Sequence, residues 1–207
     1  KDRAESNTNY AQGGIAAVMA KDDSFDLHIK DTLEAGAGLC KEEVVRTIER
    51  IAPKDVTILI TGATGFIGRV LVRQLSETGQ QVRVLLRPSP KSPRLPKGVP
   101  VEVSVVSLND ERGVRAALRG VDEIYHLASA AGQGRQGSLL KTDIEGTRTL
   151  AQVAASADIK RFIFLSHIGA DRASAFPVHK SKGIAEEHIR RSGVPYTIIR
   201  SSIVFGP

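Results

Sequence analysis

The stretch VTILITGATGFIGRVLVRQLSETG, residues 56–79, joins a short apolar run to a longer amphipathic run through a glycine-rich turn. The run VTILI (56–60) predicts a buried strand, and FIGRVLVRQLSETG (66–79) predicts a helix. Glycines stand at positions 62, 65 and 68 of the junction. Glycine permits a tight turn and a close approach of the backbone, and a helix N-terminus presents unpaired N–H donors. The junction therefore predicts a binding site for an anionic group.

From residue 55 onward the chain repeats this alternation of strand and helix. Further strands are predicted at 81–86, 101–106, 122–128, 160–166 and 194–200, and further helices at 109–120, 137–157 and 176–187. Strands that alternate with helices favour parallel pairing through crossovers, so the predicted fold is α/β with a doubly wound parallel sheet. Five of the nine prolines fall in RPSPKSPRLPKGVP (87–100), which predicts an exposed loop.

The end of the second strand bears on which nucleotide the turn would hold. A glycine turn at the first strand–helix junction of such an array is typical of sites for NAD or NADP. An acidic residue after the second strand would suit NAD, but the sequence has Arg87 there, and Arg69 follows the glycine turn. Guanidinium groups match a 2′-phosphate, so the sequence favours NADP over NAD. The alternative is that Arg87 only opens a basic loop.

Residues 55–207 resemble the short-chain dehydrogenase/reductase superfamily, in its extended (epimerase/dehydratase) and atypical NmrA-like branches. The resemblance rests on TGATGFIG (61–68), YHLASA (125–130), DIEGTRTL (143–150), FIFLSHIGAD (162–171), KGIAEE (182–187) and YTIIRSSIVFGP (196–207). It implies a Rossmann-type NAD(P)-binding domain. The implied cofactor contacts are Gly62, Thr64, Gly65, Phe66, Ile67 and Gly68 at the pyrophosphate, Arg87 at the adenosine, Leu108, Ala128 and Ala130 along the cofactor, and Ser166 and Lys182 near the nicotinamide.

The same resemblance implies a catalytic lysine, but the tyrosine that should precede it is missing. In the family's usual mechanism a tyrosine four residues before the lysine acts as general acid or base, and a serine polarises the substrate oxygen. If Lys182 is that lysine, the tyrosine position holds Val178, and if Lys180 is, it holds Phe176. Neither side chain can donate or accept a proton, so the sequence predicts an oxidoreductase whose catalysis is impaired.

The groups at the expected reactive end leave alternatives open. Ser166 or His167 would occupy the serine position, and the resemblance does not decide between them. For Lys182 the competing interpretation is an exposed ion pair with Glu186, four residues on, worth ~0.3 kcal/mol. We expect Ser166 and Lys182 to be the catalytic residues, with Lys182 also binding the nicotinamide ribose.

Two departures from the family concern the adenine and the substrate. Ser107 stands where the family often has an aspartate near the adenine. The sequence ends at residue 207, where extended members continue into the segment that builds most of their substrate pocket, so we expect a substrate site that is missing or completed by another chain. Turnover, where it occurs, would transfer hydride to or from a small carbonyl compound. The competing hypothesis is a redox-sensing or scaffold module that binds NADP without chemistry.

Residues 1–53 instead resemble a fragment of L-aspartate oxidase. Within 6–45, the residues similar to that family's FAD-contacting loop are Ser6, Thr8, Ala11, Gln12, Gly13, Gly14 and Ile15. Two helices are predicted over 26–36 and 41–51. Because the flavin family's own glycine-rich strand–helix unit is not within 1–53, tight FAD binding by this part is not expected. The sequence predicts a chimera of a mainly helical extension, 1–53, and an NAD(P)-binding domain, 54–207, with an L-aspartate oxidase fragment as a third functional hypothesis.

Composition limits the remaining classes of function. The net charge of +6 allows an anionic partner, but the basic residues are scattered and no nucleic-acid-binding motif occurs. No apolar run approaches the ~20 residues of a membrane span. One cysteine suits a reducing cytoplasm, and no spacing of metal ligands is present. We expect a cytoplasmic protein whose partner is a dinucleotide, without metal, membrane or nucleic acid, and leave oligomerisation open.

Overall fold

Six parallel strands form one sheet in the order β3-β2-β1-β4-β5-β6. The structure is a computed structural model, and it describes residues 56–90, 93, 95–132, 137–202 and 204. The strands are β1 (Thr57–Thr61), β2 (Gln81–Leu86), β3 (Glu102–Val105), β4 (Glu123–His126), β5 (Arg161–His167) and β6 (Tyr196–Ser201). The helices are α1 (Phe66–Glu77), α2 (Glu111–Ala117), α3 (Thr147–Ala155) and α4 (Pro177–Ser192). The described residues belong to one compact unit, Lys54–Pro207.

The order of the strands reverses direction between β1 and β4. β1 pairs with β2 on one side, where Thr61 lies opposite Leu85, and with β4 on the other, where Thr61 lies opposite His126. Right-handed crossovers that run in opposite directions place their helices on opposite faces of the sheet. The doubly wound parallel sheet predicted from the sequence is therefore confirmed. Such a reversal opens a crevice at the carboxyl ends of the two central strands.

The alternation of side chains along the strands divides the core between the two faces. Leu59, Ile124 and Phe162 lie in a buried cluster with residues of α2, α3 and α4. Ile58 and Ile60 point to the other face, because successive side chains of a strand alternate, and both are fully buried. A strand buried on both faces must be apolar throughout, which explains the run TILI at the centre of the sheet.

Most predicted elements form within a few residues of their expected ends, and one differs in kind. The helix predicted over 137–157 begins as a π-helical segment, Leu140–Gly146, and continues as α3. Gly146 ends that segment against Leu108, where a Cβ atom would lie only 2.9 Å from the Leu108 Cβ. The described residues between β2 and β3 carry neither helix nor strand, as the prolines predicted.

Two expectations concern other parts of the chain. The helices predicted over 26–36 and 41–51 lie outside the described residues. Among the described residues, no helix is long and apolar enough to cross a membrane.

Candidate functional site

The turn after β1 can be formed only by residues without side chains at two positions. Gly62 has φ +75°, and a Cβ atom there would lie 2.7 Å from the backbone nitrogen of Ala128. A Cβ atom at Gly68 would lie 2.2 Å from the Gly62 carbonyl oxygen. Contacts this short cannot be relieved without moving the backbone. Gly62 and Gly68 therefore let the turn, the loop after β4 and helix α1 pack against one another.

The third glycine of the turn has a different environment. A Cβ atom at Gly65 would meet only the Gly62 carbonyl oxygen, at 3.1 Å, and Gly65 is exposed. Gly65 is the N-cap of α1, where no side chain caps the helix and no acidic residue occupies the first turn. The first N–H groups of a helix carry partial positive charge and need partners. The surface above Thr64, Gly65, Phe66 and Ile67 is thus suited to bind a diphosphate through main-chain donors.

The loop after β4 lies beside this turn and is held by side chains from two other elements. The Ala128 N–H donates to Thr61 Oγ1 at 3.3 Å, and the buried Ala130 N–H donates to Asp143 Oδ2 at 2.8 Å. Ser129 Oγ donates to Asp143 Oδ1 at 2.6 Å. The loop is consequently fixed beside the turn, with Ala128 half-buried and Ala130 buried.

A fully buried histidine connects the turn to the helix on the other side of the crevice. His126 Nδ1 lies 2.6 Å from Thr61 Oγ1, and His126 Nε2 lies 2.8 Å from Thr147 Oγ1. The His126 ring stacks on Phe164 with 5.5 Å between ring centroids. Burial, reinforced by the charge of Lys182, lowers the pKa of His126 to about 3. The ring is therefore neutral near pH 7 and serves as a hydrogen-bond bridge between β1, β4 and α3.

Lys182 is buried and paired with Asp143. Lys182 Nζ lies 3.4 Å from Asp143 Oδ1, donates to the Leu165 carbonyl at 3.2 Å, and lies 4.8 Å from the centroid of the Phe164 ring. Burial lowers the pKa of the Lys182 ammonium, and the charge and hydrogen bond of Asp143 oppose that shift. One carboxylate thus fixes both the lysine on α4 and the loop that carries Ala130.

Glu186 forms a second buried charge cluster one turn further along α4. Its carboxylate accepts Ser166 Oγ–H at 2.6 Å, Arg200 Nη2–H at 2.7 Å and Arg190 Nη2–H at 2.8 Å. Burial would raise the pKa of Glu186, but the hydrogen bonds from Arg200, Ser166 and Arg190 outweigh it, and the pKa is lowered. The carboxylate is ionised near pH 7 and ties β5, β6 and α4 together.

These two clusters overturn one interpretation of the sequence. The exposed ion pair between Lys182 and Glu186 is wrong, because both side chains are buried and each has other partners. The helix turns the two residues toward different neighbours, Lys182 toward Asp143 and Glu186 toward β6. Ser166 is directed to Glu186, whereas the next residue, His167, is half-buried at the end of β5.

At the other end of the crevice lie the residues expected near the adenosine. Leu108 follows β3 and is half-buried against the core, and the side chain of its neighbour Ser107 accepts the Asn109 N–H at 3.3 Å. Arg87 follows β2 and is exposed. The structure therefore places the expected residues along the carboxyl edge of the sheet, from Arg87 at the end of β2 to Ser166 at the end of β5.

Sequence reasoning did not assign a site role to His126, Asp143 or Glu186, which are among the most buried polar residues. His126 lies two residues after Ile124, so strand alternation puts both on the buried face, and this was a usable signal for a buried polar contact. No local pattern could show which lysine would neutralise Asp143, because that partner comes from a different element.

The chain belongs to the NAD(P)H-binding family, whose model matches residues 62–204, and also matches the FAD binding domain family over residues 1–118. The two matches overlap at residues 62–118. The resemblance to NAD(P)-binding oxidoreductases and to an L-aspartate oxidase fragment is confirmed. The expectation that FAD is not bound stays a prediction.

Individual proteins show the same two similarities. The ceramide reductase of Caulobacter vibrioides is 31% identical over 72% of this chain and 47% of its own length. The L-aspartate oxidase of Vibrio cholerae is 52% identical over 31% of this chain and 12% of its own length. A short-chain dehydrogenase/reductase superfamily protein from Agrobacterium tumefaciens, solved with bound NAD, has a TM-score of 0.58 and 25% identity, over 70% of this chain and 48% of its own. The chain spans about half or less of each relative.

Proposed function

We propose that residues 54–207 bind NADP at the carboxyl edge of the sheet, with the pyrophosphate on the turn after β1. The single observation that carries this proposal is the N-terminus of α1, which begins after an exposed glycine and which no side chain caps. That arrangement supplies main-chain donors without a competing carboxylate. The nicotinamide cofactor of the structural relative supports the same assignment.

The adenosine end supports NADP over NAD. Arg87 follows β2, where an NAD-binding site of this class would place an acidic residue. Leu108, Ala128 and Ala130 would contact the cofactor along its length. Replacing Arg87 by aspartate should lower NADP affinity by roughly tenfold or more and leave NAD affinity equal or higher. Lys97→Asp, with the same change of charge on an exposed lysine before β3, should alter neither affinity.

At the reactive end, the buried Lys182 would contact the nicotinamide ribose. Its ammonium has three donors, of which Leu165 and Asp143 use two. The bound cofactor would supply hydride to, or accept it from, a small carbonyl compound. Val178 at the tyrosine position carries no proton, and Ser166 is already bonded to Glu186, so catalysis is impaired relative to the family. The name of the ceramide reductase supports a reduction as the reaction.

Two other functions are supported by separate observations. Val178 at the tyrosine position favours a redox-sensing or scaffold module of the cytoplasm that binds NADP without turnover. The FAD binding domain match over 1–118 favours a fragment related to L-aspartate oxidase. We propose the boundary between the two parts near Pro53, and an oligomer is compatible with either function.

Calorimetric titration of the full chain with NADP, NAD and FAD tests the proposal. Binding of NADP without FAD supports an NADP-binding domain, and a cofactor-consumption assay with carbonyl compounds then separates an enzyme from a sensor. Isolation of a yellow, flavin-loaded protein would favour the third function. Absence of NADP and NAD binding would overturn the proposal.

A further inference from the structure

Two histidines stack against each other at the reactive end of the crevice. The rings of His167, the last residue of β5, and His179, in the first turn of α4, have centroids 4.6 Å apart and planes inclined by 28°. The ring of Phe176 approaches His179 edge-on at 5.6 Å. His179 precedes Lys182 by three residues, and Lys182 binds the backbone of β5 two residues before His167. The histidine pair and the lysine therefore lie at one corner of the fold.

Close backbone packing holds this pair in place. A Cβ atom at Gly169 would lie 2.7 Å from two atoms of the His179 ring, so the loop after β5 rests directly on that ring. A Cβ atom at Gly183 would lie 2.4 Å from the backbone of Asp171 in the same loop. The Asp171 N–H also donates to the His179 carbonyl at 3.2 Å. Two glycines and one hydrogen bond thus clamp the loop onto α4 and pre-organise the stack.

The hydrogen bonding of His167 fixes the position of its proton. The Gly169 N–H donates to His167 Nδ1 at 3.2 Å. A nitrogen that accepts a hydrogen bond has its lone pair free, so the neutral ring carries its proton on Nε2. His167 consequently presents Nε2–H as a donor. Such a neutral imidazole can bind and polarise an oxygen without transferring its own proton.

Two exposed apolar side chains border the pair. Ile168, next to His167, is 63% exposed, and Phe176 is 67% exposed. The Phe176 ring approaches His179 edge-on, so it offers an apolar surface beside the pair. Ser166 is engaged by Glu186. His167 is thus the donor at the end of β5 that is not already bonded to a side chain in the described part of the chain.

We propose that His167 Nε2–H donates a hydrogen bond to the oxygen of a carbonyl ligand with an apolar or aromatic body, which packs against Ile168 and Phe176. His179 is a positioning residue that holds the His167 ring. The inference rests on the proposed function, because it places this ligand at the nicotinamide end of the NADP site. The ligand is accordingly an apolar carbonyl compound rather than a sugar nucleotide.

The test compares acetophenone with ethylbenzene, which has the same ring and nearly the same shape but no oxygen. Binding of each to the full chain saturated with NADP⁺ is measured by ligand-observed NMR, with UDP-glucose as a polar comparison. We expect acetophenone to bind roughly five- to tenfold more tightly than ethylbenzene, the value of one net hydrogen bond, and UDP-glucose not to compete. His167→Phe keeps a ring in the stack and should remove the difference between the two probes. His188→Gln, on the same helix away from the pair, should preserve it.

The two proposals fail in distinguishable ways. NADP⁺ titrations of the same proteins report on the proposed function, and loss of NADP⁺ binding in the wild type would overturn both. If NADP⁺ binds but acetophenone does not, or if His167→Phe binds both probes as the wild type does, only the role of His167 is overturned. Nitrogen-15 NMR of the wild type gives a second test that needs no variant. It should show the Nε2–H tautomer for His167, with a shift on addition of acetophenone, and the other tautomer would contradict the account.

Discussion

The two ends of the crevice are built from different materials. At the turn after β1, the end proposed to hold the pyrophosphate, the contacts come from main chain. Gly62 and Gly68 allow close contact between the backbones there. At the reactive end the contacts come from buried charges, Lys182 with Asp143 and Glu186 with two arginines. The first end depends on the absence of side chains. The second depends on side chains that must neutralise one another, since an unpaired buried charge is costly.

This contrast explains why the two ends tolerate departures from the family so differently. A main-chain cradle binds a diphosphate whatever chemistry follows, because it requires only glycine and a helix N-terminus. At the reactive end neither Val178 nor Phe176, the two positions at which the resemblance would place a tyrosine, can transfer a proton. The buried charges keep Lys182 and the loop after β4 in place even so. If the two ends are independent, a substitution at one end should leave the contacts at the other unchanged.

The largest effect is expected at the reactive end, from loss of the carboxylate at 143. Asp143→Ala leaves the buried Lys182 ammonium without its counter-charge and the Ala130 N–H without an acceptor. We expect the free energy of unfolding to fall by about 3–5 kcal/mol, measured by urea denaturation. Lys182→Met should also destabilise the protein, but the double variant should lose less than the sum of the two. Additive losses would show that the pair is not coupled.

A smaller effect is expected from Gly68→Ala at the pyrophosphate end. The new Cβ would lie 2.2 Å from the Gly62 carbonyl, so α1 must move away from the turn. We expect a loss of about 1–3 kcal/mol in unfolding free energy together with weaker NADP binding. Gly132→Ala is the matched control, because a Cβ there meets nothing within 4 Å. Equal stability of Gly68→Ala and Gly132→Ala would refute the packing role of Gly68.

The smallest effect is a dependence of stability on pH from His126, which links the two ends. Its folded pKa of about 3 lies below its ordinary value of 6.5, so only the unfolded chain binds this proton at intermediate pH. The contribution of His126 to the free energy of unfolding is complete above pH 6.5. It falls by up to about 1.4 kcal/mol per pH unit as pH falls toward 3. Unfolding free energies at pH 7 and pH 5 should differ more for the wild type than for His126→Gln. An identical pH dependence in both would mean that the ring is protonated in the folded protein.

The unit of β1, its turn and α1 could be predicted from sequence because its information is local. The strand, the glycines and the helix lie within residues 56–79, and periodicity with glycine spacing specifies each of them. The same holds for the parallel sheet, whose strands are separate apolar runs. Glycine spacing could not show that Gly62 packs against the loop after β4, because that loop comes from a distant part of the chain.

The reactive end could be predicted only in outline. Ser166 and Lys182 were predicted as site residues by resemblance, but their partners were not predicted, because a buried charge can be neutralised from any element. His126 and Thr61, which are 65 residues apart, meet only after β1 pairs with β4. The competing interpretation of Lys182 and Glu186 as an exposed ion pair, based on helical spacing, was wrong for the same reason. Burial made stronger bonds to other elements available to each.

The central claim is that bare main chain at the start of α1 holds the diphosphate of NADP. Calorimetric titration of NADP into the wild type and into Gly65→Val tests it most directly, because position 65 is exposed and a side chain there would cover the helix N-terminus. We predict saturable binding to the wild type, and for Gly65→Val a folded protein with a slightly lower urea midpoint, because the new Cβ would lie 3.1 Å from the Gly62 carbonyl oxygen, and with no detectable NADP binding. Equal NADP affinity of the two folded proteins would contradict the account.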